Sequence, residues 1–250
     1  MALKPALCRF FVAHGSQDPR VLVEMKKLAA LYQSRHPEIE VRFGFLESSA
    51  PSFASELEKA AGEFGRVRVL PLFLFPGAHT QKDIPRMVEA LWGQKPQSRI
   101  EVAPFLRPHP ALAKLLLKRL VEAGFSALEG APLLLVGHGA EGREPEMLLE
   151  QMRSLLHQAA PRCRVEACFV GVGEPSLEKK LEELKDAFGA GGAVAPYLLF
   201  PGFFLGKIEK TLGDFQFRNP AAKIFLAGPL GSDDFLFEAF PEGFEKFQEA

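Results

Sequence analysis

Apolar positions along this chain fall into short continuous runs separated by longer amphipathic stretches. In the first half the runs lie near residues 7–13, 39–46, 67–75 and 100–105. Near-uniform apolarity, rather than alternation, is the mark of parallel strands buried on both faces. Between the runs, VLVEMKKLAALYQSR (21–35) and IPRMVEALWG (84–93) repeat apolar residues at helical spacing. Asp83 stands before Ile84 and Pro85 as an N-cap. Strand–helix alternation predicts right-handed crossovers and a parallel sheet.

The pattern then recurs. FFVAHGSQDPR (10–20) resembles LLVGHGAEGRE (134–144), and HPEIEVRFGFLESSAPSF (36–53) resembles APRCRVEACFVGVGEPSL (160–177). VLPLFLFPG (69–77) resembles VAPYLLFPG (194–202), and IEVAPFL (100–106) resembles IFLAGPL (224–230). Four blocks in one order, offset by 124 or 125 residues, predict an internal duplication. The expected fold is α/β: two homologous flavodoxin-like domains, each a parallel sheet flanked by helices. They are drawn at 1–124 and 125–250, with the boundary in the Gly124–Ala131 region.

Composition changes this picture in one respect. The chain has 250 residues, 47% hydrophobic and 24% charged, with 30 basic and 31 acidic residues and a net charge of −1. That balance excludes a uniformly basic nucleic-acid binder and a disordered acidic chain. It hides an asymmetry, because residues 1–125 hold 18 basic and 12 acidic groups and residues 126–250 hold 12 and 19. Asp233 and the residues after it, with six acids and five phenylalanines, read as an amphipathic closing helix with a solvated acidic face. No stretch reaches the roughly 18 apolar residues of a membrane span, and Lys4, Pro5 and Arg9 interrupt the apolar N-terminus. The three cysteines, Cys8, Cys163 and Cys168, form no CxxC pair. A cytoplasmic protein without membrane or nucleic-acid partners, without a structural zinc or iron–sulfur site, is the expectation.

Ligands of open parallel sheets bind outside the carboxyl ends of the strands. In the first half those ends are His14-Gly15-Ser16, Glu47, and Pro76-Gly77-Ala78-His79. Two imidazoles and a carboxylate from three strands suit a divalent transition metal. The duplication serves as a control: His14 is matched by His138, but Glu47 by Gly171 and His79 by Phe204. Packing residues are kept in both copies while two of three site residues are not, which predicts one working site, in the first copy. The competing reading of His14 is a turn histidine hydrogen-bonded beneath a glycine. His138 reads as a structural or substrate-contact residue, His109 as a helix cap, and His36 and His157 as solvated helix-end residues. The cysteines read as core. The segment Phe200-Pro201-Gly202-Phe203-Phe204 either covers an apolar ring face or closes a core.

At these residues the chain resembles the sirohydrochlorin cobaltochelatase family, the CbiX-type class II chelatases. The resemblance rests on VAHGSQDPR, FLESSAPSF and PLFLFPGAHTQKDIP, and is looser in the second half. It implies the long, two-copy form of the family and a chelatase-like fold. It implies a lyase that inserts a divalent metal into sirohydrochlorin, with Co²⁺ the expected ion in cobalamin (corrin) biosynthesis. Fe²⁺ or Ni²⁺, a sirohaem-forming ferrochelatase, or a non-catalytic metal or tetrapyrrole carrier are the alternatives. No organic cofactor is implied. Carried over by position, His14 is the metal-binding and proton-accepting histidine, His79 the second metal-binding histidine and Glu47 the acidic residue at the substrate site. Neutral imidazole and a nearby carboxylate can both accept protons, so His14 or Glu47 is the catalytic group. Glu47, Leu74, Phe75, Pro76, Gly77 and Ala78 are the substrate contacts. Sirohydrochlorin carries eight carboxylates, so Arg20, Lys82, Arg86 and Arg107, just beyond rim positions, are candidate anchors, which agrees with the basic first half. Fusion of two copies removes the need for a dimer and predicts a monomer.

Overall fold

The computed structural model describes residues 7–94, 98–126, 129–242 and 244. Its elements follow the expected alternation. They run β1 (Leu7–Ala13), α1 (Arg20–Arg35), β2 (Glu40–Phe45), α2 (Phe53–Glu63), β3 (Arg66–Pro71), α3 (Ile84–Gln94), β4 (Arg99–Val102) and α4 (Pro110–Glu122). The second copy adds β5 (Pro132–Gly137), α5 (Arg143–Ala159), β6 (Arg164–Phe169), α6 (Leu177–Glu183), β7 (Gly192–Tyr197), α7 (Phe203–Arg218), β8 (Ile224–Leu226) and α8 (Asp234–Glu238). Both sheets are four-stranded and wholly parallel, in orders β2-β1-β3-β4 and β6-β5-β7-β8. No helix among the described residues is long and apolar enough to cross a membrane.

The central strands explain the uniform apolarity of their sequences. Phe10, Val12, Val67 and Val69 are buried against Phe53, Leu57, Ala60, Ile84 and Val88 on one face of the first sheet. On β1, Phe10 meets Phe53 edge to face at 5.5 Å between centroids. In the second sheet Leu134, Val136 and Val194 bury against Leu177, Leu181, Ile208, Leu212 and Phe215. Arg9 is the exception within β1: it is fully buried, and its guanidinium lies 5.0 Å from the Phe244 ring centroid. Burial pushes the Arg9 pKa down, and its interaction with Tyr32 offsets part of that shift.

Packing divides the chain into two compact units. One runs up to Leu106 and takes in the segment from Phe240; the other is Arg107–Ala239. In the first unit Phe240 and Phe244 pack on Phe11 and Tyr32. In the second, α4 packs on α5, β7 and α8. The packing boundary therefore falls elsewhere than the 124–131 repeat boundary, because each copy's last segment belongs to the other copy's unit.

Three local expectations are corrected. β3 stops at Pro71 rather than 75: its last pairing with β1 is Val12 with Pro71, and after the Leu72 N–H to Val12 O bond at 2.7 Å the chain leaves the sheet. Leu72, Leu74 and Phe75 are buried as loop residues instead. The acidic C-terminal stretch is not one continuous helix over its described residues, although Asp234, Glu238 and Glu242 are exposed; the expectation for residues 243 and 245–250 lies outside the described residues. α8 covers only Asp234–Glu238, and Asp233 is 7% exposed, hydrogen-bonded by Lys118 and Arg119. His36 is half-buried rather than fully solvated, being stacked on Tyr32 with 4.4 Å between centroids. Other readings hold: the His109 side chain accepts from Ala111 N–H at the start of α4, and the three cysteines are free and buried. Burial pushes the Cys8 thiol up to about 12, so it is no thiolate ligand near neutral pH.

Candidate metal centre

The strand ends that carry the site are joined by the backbone. Leu46 N–H donates to Ala13 O at 3.0 Å and Glu47 N–H to His14 O at 2.9 Å, extending the β1–β2 ladder into both loops. Ser49 Oγ bridges the same gap, accepting from Ser16 N–H at 2.9 Å and donating to Ser16 O at 2.6 Å. Gly15 makes this closeness available: its φ is +96°, and a Cβ there would lie 1.9 Å from the Glu47 carbonyl oxygen. Gly77, by contrast, has nothing within 4 Å of a Cβ position.

These constraints gather the three expected residues. Ligand atoms of His14, Glu47 and His79 lie within 4.8 Å of one another. The imidazoles meet edge to face, 4.9 Å between centroids, and His79 Nε2 lies 3.7 Å from Glu47 Oε1. Two metal–ligand bonds of about 2.1 Å end to end nearly span the longest of these separations, so modest side-chain closure would ligate one ion. His14 Nδ1 is 3.2 Å from Gly15 O. A tautomer donating there leaves Nε2 with its lone pair for a ligand. His14 and Glu47 are exposed and His79 half-buried, so three protein groups hold one side of an open position.

The segment leading to His79 is placed differently from end to end. Leu74 and Phe75 are 4% and 3% exposed and Pro76 is buried, while Gly77 and Ala78 are exposed at the rim. Arg20 is already engaged by Asp18 through bonds of 2.6–3.1 Å, which hold the Asp18 carboxyl below its usual range. Arg107 pairs with Glu144 at 2.9 Å. Lys82 and Arg86 are exposed, one helical turn apart beside His79, and neither is ion-paired with another described residue.

Asp83 stands in a different place from the one its sequence context suggests. It is not an N-cap, because a π-helical turn, His79–Asp83, runs directly into α3. Its carboxylate Oδ2 lies 2.8 Å from His79 Nδ1. The signal available in the sequence was the spacing of four residues between a histidine and a carboxylate.

The second copy keeps the frame and loses the chemistry. Gly139 (φ +75°) repeats Gly15, and Val172 N–H donates to His138 O at 3.1 Å as Glu47 N–H does to His14 O. No carboxylate side chain arises at Gly171 or Val172. Phe204 stacks on His138 at 5.2 Å with 23° between planes, and a Cβ on Gly171 would lie 2.3 Å from His138 O. His138 is thus capped by an aromatic ring, while Phe203 is 77% exposed.

The chain thus joins two parallel α/β domains with, among the described residues, a two-histidine, one-carboxylate group that could hold a metal ion. The family model described as CbiX matches residues 9–123 and again 132–246, and the chain belongs to the CbiX family. Sirohydrochlorin ferrochelatase of Bacillus subtilis (strain 168) is 25% identical over 234 residues, 92% of this chain and 87% of that protein. Sirohydrochlorin cobaltochelatase of Priestia megaterium is 23% identical over 225 residues, 88% of this chain and 73% of that one. Among solved structures, SirB from Bacillus subtilis with Fe3+ superposes with a TM-score of 0.81 at 24% identity, covering 94% of this chain and 92% of that chain. This last likeness establishes the fold.

Proposed function

We propose that this protein is a sirohydrochlorin chelatase, a lyase that inserts Co²⁺ into sirohydrochlorin on the way to corrins. The observation that carries the reading is the convergence of His14, Glu47 and His79 on one open position in a chain of the CbiX family. Residues 1–124 would be the working copy and 125–250 its degenerate partner, together a monomer in the cytoplasm.

The chemistry follows from the donor set. Metallation needs an ion that sheds water, and two pyrrole N–H protons that leave as the metal–nitrogen bonds form. His14 and His79 hold the ion through Nε2 on one side, leaving its other face for pyrrole nitrogens. Incomplete ligation lets the ion go, whereas a closed four-ligand cage would retain it. Glu47, at the same position and exposed, accepts a proton, and His14 accepts one once the ion has left it. Gly77 and Ala78 offer the substrate exposed backbone, and buried Leu74, Phe75 and Pro76 support that loop from beneath. Lys82 and Arg86 attract the substrate's carboxylates, and the excess positive charge of residues 1–125 raises the encounter rate.

Imidazole and carboxylate do not choose sharply between Co²⁺, Fe²⁺ and Ni²⁺; cobalt is favoured by the resemblance of the first-copy motifs and by the cobaltochelatase name of the Priestia megaterium relative. Iron is the second reading, carried by the ferrochelatase names of the relatives from Bacillus subtilis and Priestia megaterium. Anaerobic initial rates of sirohydrochlorin metallation with Co²⁺, Fe²⁺ and Ni²⁺ test the choice. Co²⁺ should give the highest kcat/KM. A higher kcat/KM with Fe²⁺ would establish the ferrochelatase reading instead.

A further inference from the structure

The two copies change register inside the turn that carries His79. Pro76, Gly77 and His79 correspond to Pro201, Gly202 and Phe204 at an offset of 125. Beyond the turn, Ile84, Val88 and Leu91 correspond to Ile208, Leu212 and Phe215 at an offset of 124. The match is physical as well as sequential: Ile84 and Ile208 are both fully buried, and Val88 and Leu212 fill the next core position of their helices. The first copy therefore has one more residue in this turn. It is absorbed by the π-helical turn His79–Asp83, closed by Ile84 N–H on His79 O, where α7 starts as ordinary α-helix at Phe203. Single π-turns inside helices are rare and concentrate at functional sites.

Closing a turn from residue i to i+5 brings side chains four apart nearer to eclipse, and here it sets Asp83 Oδ2 2.8 Å from His79 Nδ1. The opposite ring nitrogen faces Glu47. We propose that Asp83 is a positioning residue: it accepts the Nδ1–H of His79, fixes the tautomer whose Nε2 carries the lone pair, and aims that lone pair at the ion. The extra residue and the carboxylate occur together in the copy that has a histidine to orient. The copy with Phe204 has neither: Lys207 precedes Ile208 there, where Asp83 precedes Ile84 in the first copy. This inference rests on the reading of His79 as a metal ligand. A carboxylate behind a ligating imidazole sets its orientation and typically changes metal affinity 10–100-fold when removed.

Two measurements on the full chain test it. Long-range ¹H–¹⁵N NMR of the metal-free protein should show His79 protonated at Nδ1, and Asp83→Ala should move it toward the Nε2–H form. Titration with Co²⁺, followed by visible absorption, should show affinity about 10–100-fold lower in Asp83→Ala. Asp83→Asn, which keeps an acceptor oxygen but not the charge, should lose less. His79→Ala is run beside them, and far-UV circular dichroism checks that each variant folds. An unchanged tautomer, or unchanged Co²⁺ affinity in Asp83→Ala while His79→Ala loses it, overturns the role of Asp83 alone. Unchanged affinity in His79→Ala overturns the metal-centre reading and this proposal with it.

Discussion

Substituting alanine for Gly15 separates what holds the site together from what merely lines it. At φ +96° an L-residue costs roughly 1–2 kcal/mol, and the new Cβ would sit 1.9 Å from the Glu47 carbonyl oxygen. That neighbour is backbone, so the β2 loop must move rather than a side chain rotate. The Glu47 N–H to His14 O bond at 2.9 Å then lengthens or breaks, at a further ~1 kcal/mol. The total is about 2–3 kcal/mol, which in a chain of this size lowers Tm by roughly 4–12 °C. Moving the loop also carries Glu47 away from His14 and His79, so Co²⁺ affinity should fall with stability. Gly77→Ala is the matched control: nothing lies within 4 Å of its Cβ position, and both quantities should stay near wild type. Differential scanning calorimetry and a Co²⁺ titration on the two variants suffice. If Gly15→Ala matches wild type in both, or Gly77→Ala is equally damaging, the account of how β1 and β2 hold the centre is wrong.

Other outcomes follow from particular contacts. Burial alone would raise the Asp233 carboxyl, but the Lys118 hydrogen bond, the Phe235 amide and the charges of Lys118 and Arg119 leave it lowered. A carboxyl depressed on folding stabilises fully above its unfolded pKa, near 3.9, and that contribution disappears as pH falls through the folded value. Asp233→Asn should therefore cost about 2 kcal/mol in urea denaturation at pH 7, and the gap to wild type should narrow below pH 4. A constant gap would refute the ionic origin. The double variant Lys82→Ala, Arg86→Ala should raise KM for the tetrapyrrole about five-fold with kcat unchanged, and flatten its salt dependence, as loss of two exposed ion pairs would. An unchanged KM at low salt would remove both residues from the substrate's path.

How much was legible in the sequence depended on the range of the interaction responsible. β1 and β2 were readable within a residue or two: β1 is a buried, almost wholly apolar central strand, and β2, an edge strand carrying Glu40 and Arg42, still ends in the buried pair Gly44 and Phe45. The same signal misread Leu72, Leu74 and Phe75 as strand, since apolarity reports burial and these residues are buried beyond the last paired position of β3. His14, Glu47 and His79 could be grouped because parallel sheets present their carboxyl ends on one rim, and the duplication marked which of the three had no counterpart. The role of Asp83 was hidden: an acid before Ile-Pro looks like a cap, and nothing local says that a turn will close i to i+5. Its trace lay in the offset, which passes from 125 back to 124 across the turn. Asp233 was misread for another reason. Its partners Lys118 and Arg119 lie 115 and 114 residues away, and charge patterning along a chain does not show such pairs.

Multiple-turnover metallation tests the central claim most directly. Purified wild-type chain, with excess sirohydrochlorin and Co²⁺ under anaerobic conditions, should metallate many equivalents, followed by the change in tetrapyrrole absorbance. His14→Ala and His79→Ala should each lose on the order of 10²-fold or more in rate. Metallation that stops after one equivalent would identify a carrier rather than an enzyme. Wild-type rates in either variant would show that the metal enters the ring elsewhere.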